Sequence, residues 1–337
     1  MRTSRSKIII AVGATILIAL WSSVSFNGGF NGVKTLRVYF FDVGQGDAAL
    51  IVTPEGKDIL VDGGPGSALS SELGRVLPFY DREIELMIAT HNHSDHIEGL
   101  IDILRRYKVD RLMWNGSPHD SNVYKTMMQE AQAHSVPQTI ASAEHFEIEP
   151  GVSMDILWPS APTSTSQISG ADASVGATGT PSHAGIWFDN PDDRVSARDV
   201  TEKDDQNSHS IVFILHYGAS DFLFTGDAEV DVEQELLKEG KYTPVEVLKV
   251  SHHGSKTASS KEMLALTHPQ YGVIMVGRKN KYGHPHNVTL RRLETAGVQV
   301  FRTDQEGTVE IETDGKSLKI TTENNRDWLK KLYTALF

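Results

Sequence analysis

A chain of 337 residues with 39% hydrophobic content fits one large globular domain or two modest ones. The absence of cysteine excludes disulfides and thiolate metal sites, so any metal must be held by His, Asp, Glu or water. A formal net charge of −12 argues against binding polyanions over the whole surface, although charge is unevenly spread along the chain.

Arg2, Arg5 and Lys7 precede an apolar run from Ile8 to Leu20, the pattern of an export signal. Trp21 to Phe26 extend the run toward the ~20 residues that a membrane span needs. Residues 1–25 therefore read either as a cleaved leader or as an uncleaved anchor. Ser23 and Ser25 are small enough for the −3 and −1 positions of a cleavage site. The expectation is an exported protein, extracellular or anchored facing outward, that meets the membrane only through this segment, and only if it stays uncleaved.

Residues 36–61 read as strands: LRVYFFDV and AALIVT flank the turn GQGD, and KDILVD follows TPEG. SSELGRVLPFY reads as a helix with a proline near its end. IELMIA, from Ile84 to Ala89, is a short continuous apolar run of the kind buried on both faces of a sheet. Helical spacing follows in IEGLIDILRRY and in NVYKTMMQEAQAHS. Residues 160–205 are rich in Ser, Thr, Ala and Gly and read as a flexible insertion rather than core.

Order returns with the strand pair SIVFILHYG and DFLFTGD, then the helix EVDVEQELLKEG. VEVLKVSHHGS is a strand opening into a loop, YGVIMVG another strand, and NVTLRRLETAG a helix. VQVFRT, GTVEIET and SLKITT are closing strands. Alternating strands and helices, with hairpins mixed in, predict a layered α/β domain over residues 34–324. Residues 325–337 place Trp328, Leu329, Leu332, Tyr333 and Leu336 on one face of an amphipathic helix, docked on the core or, as the alternative, lying on a membrane surface or a partner.

The loop after IELMIA crowds His91, His93, Asp95 and His96 together. In an extended or turning segment His91 and His93 project to the same side, where two imidazoles can hold one ion. Asp95 and His96 follow where the chain turns into a helix and can face a second. Nitrogen and oxygen ligands together suit Zn²⁺, Mn²⁺ or Fe²⁺, and the end of a buried strand is where open α/β sheets place ligands.

The spacing His-x-His-x-Asp-His in THNHSDHIEG resembles the signature of the metallo-β-lactamase superfamily. The resemblance implies a four-layered αβ/βα sandwich with two divalent ions, Zn²⁺ or Mn²⁺, at the rim between two sheets. It assigns His91, His93, Asp95, His96, Asp227 and His252 as metal ligands, with Asp227 of FLFTGDAE bridging. Asp62 of ILVDGGPG supports the metal loop from behind, and His253 neighbours His252; the choice between these two histidines stays open. FFDVGQGDAALI, LVDGG, TGDAE, LKVSHHGS and NKYGHPH together resemble the metallo-hydrolase domain of the ComEC family of DNA-uptake competence proteins, over residues 36–320 apart from the insertion. Without that family's channel part, the chain reads as a free-standing relative. One departure concerns the further histidine ligand that many members place before the strand equivalent to SIVFIL. That position falls on Ser208, between Asn207 and His209, and whether Ser208 or His209 serves there stays open.

The chemistry so implied is attack by a hydroxide bridging the two ions, with Asp95 orienting it and His284 of YGHPH near the leaving oxygen. From Lys249 to Arg292 eight basic residues, Lys256 and Lys281 among them, meet a single acid, Glu262. A basic rim on an acidic protein favours a phosphate-bearing substrate, DNA included. The leading expectation is an exported metal-dependent phosphodiesterase. The alternatives are hydrolysis of a lactam, a lactone or a phosphocholine ester, and a catalytically weak DNA- or metal-binding accessory protein.

Overall fold

Period-two alternation in the opening strands sends side chains to two separate interiors. In β1 (Leu36–Phe40), Leu36, Val38 and Phe40 face one side while Tyr39 faces the other. β2 (Ala49–Val52) and β3 (Asp58–Val61) repeat the division, with Ile51 and Ile59 opposite Leu50 and Leu60. Because both faces are buried, these strands occupy the middle of a layered structure. The computed structural model describes residues 34–160 and 206–326. The leader or anchor expected at 1–25, the insertion after Ser160 and the tail helix after Arg326 lie outside the described residues.

β4 (Leu86–Ala89), β5 (Leu112–Trp114) and β6 (Gln138–Ile140) extend the first sheet. The second sheet takes β7 (His145–Glu149), β8 (Val152–Trp158), β9 (Val212–Tyr217), β10 (Ser220–Phe224), β11 (Val247–Lys249), β12 (Tyr271–Ile274) and β13 (Gln299–Arg302). β14 (Val309–Thr313) and β15 (Leu318–Thr322) return to the first. The strand orders are β15-β14-β1-β2-β3-β4-β5-β6 and β13-β12-β11-β10-β9-β8-β7. Each sheet is antiparallel in one part and parallel in the other, the change falling at β3 in the first and at β10 in the second.

Between the sheets lies a core containing Phe40, Ile88, Phe213 and Phe224, with Phe213 and Phe224 stacked at 4.7 Å between ring centroids. α1 (Ala68–Val76), α2 (Ser94–Arg106) and α3 (Asn122–Ala133) cover the outer face of the first sheet through Leu69, Leu100 and Met127. α4 (Val230–Lys238), α5 (Lys261–Thr267) and α6 (Asn287–Thr295) cover the second through Val232, Leu264 and Leu293. The expected four-layered αβ/βα sandwich is the observed one. IELMIA does not form one strand: Glu85 turns aside to accept the Asp58 N–H, and Glu83–Ile84 pairs separately with Lys108–Val109. No helix among the described residues is long and apolar enough to cross a membrane.

Candidate metal centre

The parallel strands carry the site at their carboxyl ends. One residue past β3, Asp62 (φ 58°) accepts the Thr90 N–H at 2.8 Å, the Thr90 hydroxyl at 2.7 Å and His96 Nδ1 at 2.9 Å. A single buried carboxylate thus fixes the end of β4 and the His96 ring, leaving His96 Nε2 to face inward. α2 starts at Ser94, three residues earlier than the apolar spacing indicates, so Asp95 and His96 lie in its first turn. That turn docks on the end of β3 because Gly63 and Gly99 lack side chains; a Cβ on either would overlap the other's segment. Gly46 of GQGD presses on the Asp95 carbonyl in the same way, and the Asp47 N–H donates to that carbonyl at 3.2 Å.

From the second sheet, Asp227 follows β10, with its N–H donating to Ser210 Oγ at 3.1 Å. His252 and His253 follow β11 with left-handed backbone, φ/ψ 46/50° and 53/22°. His252 Nδ1 contacts Glu229 Oε1 at 2.8 Å, and His253 Nδ1 lies 2.9 Å from the Met275 carbonyl. In both rings Nε2 is turned toward Asp227.

One oxygen is the focus of the arrangement. Asp227 Oδ2 lies 3.3 Å from His96 Nε2, 3.5 Å from His253 Nε2, 3.7 Å from His252 Nε2 and 4.0 Å from His91 Nε2. His93 Nδ1 is 3.0 Å from His91 Nε2, and Asp95 Oδ2 is 3.6 Å from His253 Nε2. His91, His96 and Asp227 form one three-donor group within 4.8 Å, and Asp95, His96 and His253 form another. The structure therefore brings together His91, His93, Asp95, His96, Asp227 and His252, and adds His253, which belongs to a three-donor group where His252 does not. His209 joins none of the His/Asp groups among the described residues; the Ser208 carbonyl accepts Trp158 Nε1–H at 2.8 Å. Asn207 instead lies 3.5 Å from His252 Nδ1, and Ser210 holds the Asp227 backbone.

Asp47, Lys249 and Gln45 were not singled out as site residues by sequence reasoning. Lys249, counted there with the basic rim, is buried beneath Asp227 and bonds to Asp47. A lysine between the apolar residues of VEVLKV was the available signal. Arg292 is also buried, donating to the Lys256 and Ala258 carbonyls at 3.0 and 3.1 Å.

Burial and the neighbouring His96 hold His91 well below the ordinary histidine range. Burial opposes charge on His96 and His253 as well, but Asp227 with Asp62 lifts His96 well above that range, and Asp227 with Asp47 lifts His253 to about 10. For Asp95, burial is outweighed by the nearby imidazoles of His253, 3.6 Å away, and His96, which hold it at about 2. The centre thus gathers excess carboxylate charge around close-set imidazoles. His96 Nε2 and His253 Nε2 are buried without hydrogen-bond partners among the described residues. Imidazole nitrogens with unmet bonding capacity, set beside the carboxylates of Asp95 and Asp227, fit divalent cations such as Zn²⁺ or Mn²⁺.

The centre opens into a cleft of about 270 Å³ lined by Gln45, His93, Asp95, His252, Tyr282 and His284 among others. Asn280 pins the His284 loop, accepting the His284 N–H at 2.9 Å and donating to its carbonyl at 2.8 Å. Burial, with His252 and His253 nearby, pushes His284 down to about 3. Neither Lys256 nor Lys281 lines the cleft, but Lys281 Nζ lies 5.3 Å from the ring centre of Tyr282, which does.

The sequence pattern of the metallo-beta-lactamase superfamily matches residues 41–278. The chain is 26% identical over 295 residues to ComE operon protein 3 of Bacillus subtilis, covering 81% of this chain and 32% of that protein. It is 30% identical over 285 residues to Recombination protein 2 of Haemophilus influenzae, covering 82% of this chain and 29% of that protein. The chain spans about a third of the length of these curated relatives. Among solved structures, Igni18, a metallo hydrolase from Ignicoccus hospitalis, matches with a TM-score of 0.45 and 17% identity, over 82% of this chain and 98% of that one.

Proposed function

The chain belongs to the metallo-β-lactamase superfamily, and from that premise we propose that it is an exported binuclear hydrolase of phosphodiester bonds, with DNA among its substrates. The observation that carries the reading is Asp227 Oδ2, with four imidazole nitrogens 3.3–4.0 Å away. His91 and His93 would hold one ion, Asp95, His96 and His253 the other, with Asp227 shared and His252 presented to the same carboxylate. Zn²⁺ or Mn²⁺ bound there would supply Lewis acidity for the attacking water and for the developing oxyanion.

The chain's own groups do the rest. Asp95, held at about 2, stays ionised and is placed to orient the water. His284, held at about 3, stays neutral, so its ring N–H can donate to a phosphoryl or leaving oxygen. With Lys249 and Arg292 buried, the segment between them still carries six basic residues against one acid. That local excess, Lys256 and Lys281 included, favours phosphate over a neutral lactam or lactone. The basic and apolar start of the chain supports export.

The test is purified protein with Mn²⁺ or Zn²⁺ offered bis-p-nitrophenyl phosphate, single- and double-stranded DNA, and nitrocefin. Phosphodiester cleavage that Asp95→Ala abolishes is the expected result. Nitrocefin turnover alone would overturn the substrate assignment, and DNA retention without turnover would overturn the enzyme reading.

A further inference from the structure

We propose that Lys249 is a positioning residue of the metal centre: its ammonium holds Oδ1 of Asp227, so that Oδ2 alone is presented to the ions. The inference rests on the binuclear reading above. Lys249 is the last residue of β11, where Leu248 and Val250 pack outward under the helices and Val247 packs between the sheets. Alternation puts Lys249 on the inter-sheet side with Val247, a place the pattern reserves for an apolar residue. It is 3% exposed.

A buried ammonium persists only if its three donors find acceptors. Two are plain: Asp47 Oδ2, and the Gly226 carbonyl at 2.6 Å. The third neighbour is Asp227 Oδ1 at 3.7 Å. The two oxygens of Asp227 thus have different surroundings: Oδ1 faces one fixed cation, and Oδ2 faces four imidazole nitrogens. A carboxylate turns freely about Cβ–Cγ unless something distinguishes its oxygens, and Lys249 is the group that does so. Gly226, which precedes Asp227, is gripped by the same ammonium, so backbone and side chain are held together. Asp47 reaches Lys249 from the first sheet and also lies 3.2 Å from His253 Nδ1. The Asp47–Lys249 pair therefore joins the two sheets under the centre.

The competing explanation is that Lys249 serves only to neutralise Asp47. A double variant separates the two. Lys249→Met alone leaves the Asp47 charge buried without its partner and lowers the melting temperature, whichever explanation holds. Asp47→Asn/Lys249→Met removes both charges and keeps an acceptor for His253, so the metal-free protein is expected to melt near the wild type. Calorimetric titration with Mn²⁺ should then show two ions on the wild type. On the double variant at least one of them should bind about 10–100-fold more weakly. A double variant that binds both ions with wild-type affinity overturns the inference and leaves the binuclear reading intact. Should the double variant fail to fold, a crystal structure of the wild type with Mn²⁺ decides. One Asp227 oxygen on the ions and the other beside Lys249 supports the inference, and both oxygens on the ions overturns it. Fewer than two ions on the wild type overturns the binuclear reading and this inference with it.

Discussion

His252 and His253 stand side by side in a backbone region that costs a non-glycine residue about 1–2 kcal/mol each. In an extended strand two neighbours would point to opposite faces, which is why sequence alone left the choice between them open. The left-handed turn instead brings both Nε2 atoms to Asp227, so the strain is spent on convergence. His252→Gly should relieve it: in EDTA the variant is expected to be as stable as the wild type or up to about 1 kcal/mol more so, while its gain in melting temperature on adding Mn²⁺ shrinks. An unchanged Mn²⁺ response would remove His252 from the centre. Asp62 poses the reverse case. Its carboxylate satisfies Thr90 and His96 at once, so Asp62→Ala should cost about 1–3 kcal/mol for each donor left unmet and about 10–100-fold in metal affinity. Denaturant melts and metal titration on one preparation measure both. The histidines and aspartate of THNHSDH were legible as a candidate donor cluster because they lie close together in the sequence. Asp47 and Lys249 were not, because their meaning lies in a contact between distant segments.

Among the elements, most long apolar or periodic runs were legible and short or half-exposed ones were not, the exception being β8, whose seven residues bury Val152, Met154 and Ile156 but are passed over in the sequence reading. β5 is only Leu112–Trp114, β7 alternates exposed polar residues along an edge, and α5 spans seven residues capped by Ser260. Across β7 to β10 the outer face carries a ladder in which His145 meets Asp155, Asp155 meets His216 Nε2 at 3.2 Å, and His216 Nδ1 meets Asp221 at 2.9 Å. Asp221, with Asp155 behind it, raises the pKa of His216 in the folded state. A raised histidine stabilises the fold fully below its unfolded value, about 6.5, and the contribution fades as pH rises through the folded value. The melting temperature of Asp221→Asn should therefore fall furthest below wild type under mildly acidic conditions, with the gap narrowing at higher pH. A gap that widens with pH would contradict the ladder. Since these residues lie away from the metal centre, metal binding should be unaffected.

At the scale of the whole molecule, two half-structures of similar plan meet at the centre. The first sheet brings Asp62, His91 and His93 on the loops after β3 and β4 and Asp95 and His96 in the first turn of α2, and the second brings Asp227, His252 and His253 on the loops after β10 and β11. Chain order alone hinted at this, since carboxylates and histidines follow apolar strands in both halves, but which sheet each strand joins is settled only by long-range pairing. Because neither half holds a complete ligand set, an ion that binds here binds the folded protein and not the unfolded chain, and stabilises it through mass action. At a hundredfold excess over its dissociation constant one ion contributes about 2.7 kcal/mol. Chelation should accordingly lower the melting temperature, and Mn²⁺ or Zn²⁺ should restore it. The increment should disappear equally when a ligand is removed from either side, as in His96→Ala or Asp227→Ala, each compared with its own metal-free melt. If one half alone retained the full increment after the other had lost its ligand, the ion would belong to a single sheet, and the shared role of Asp227 would be lost with it.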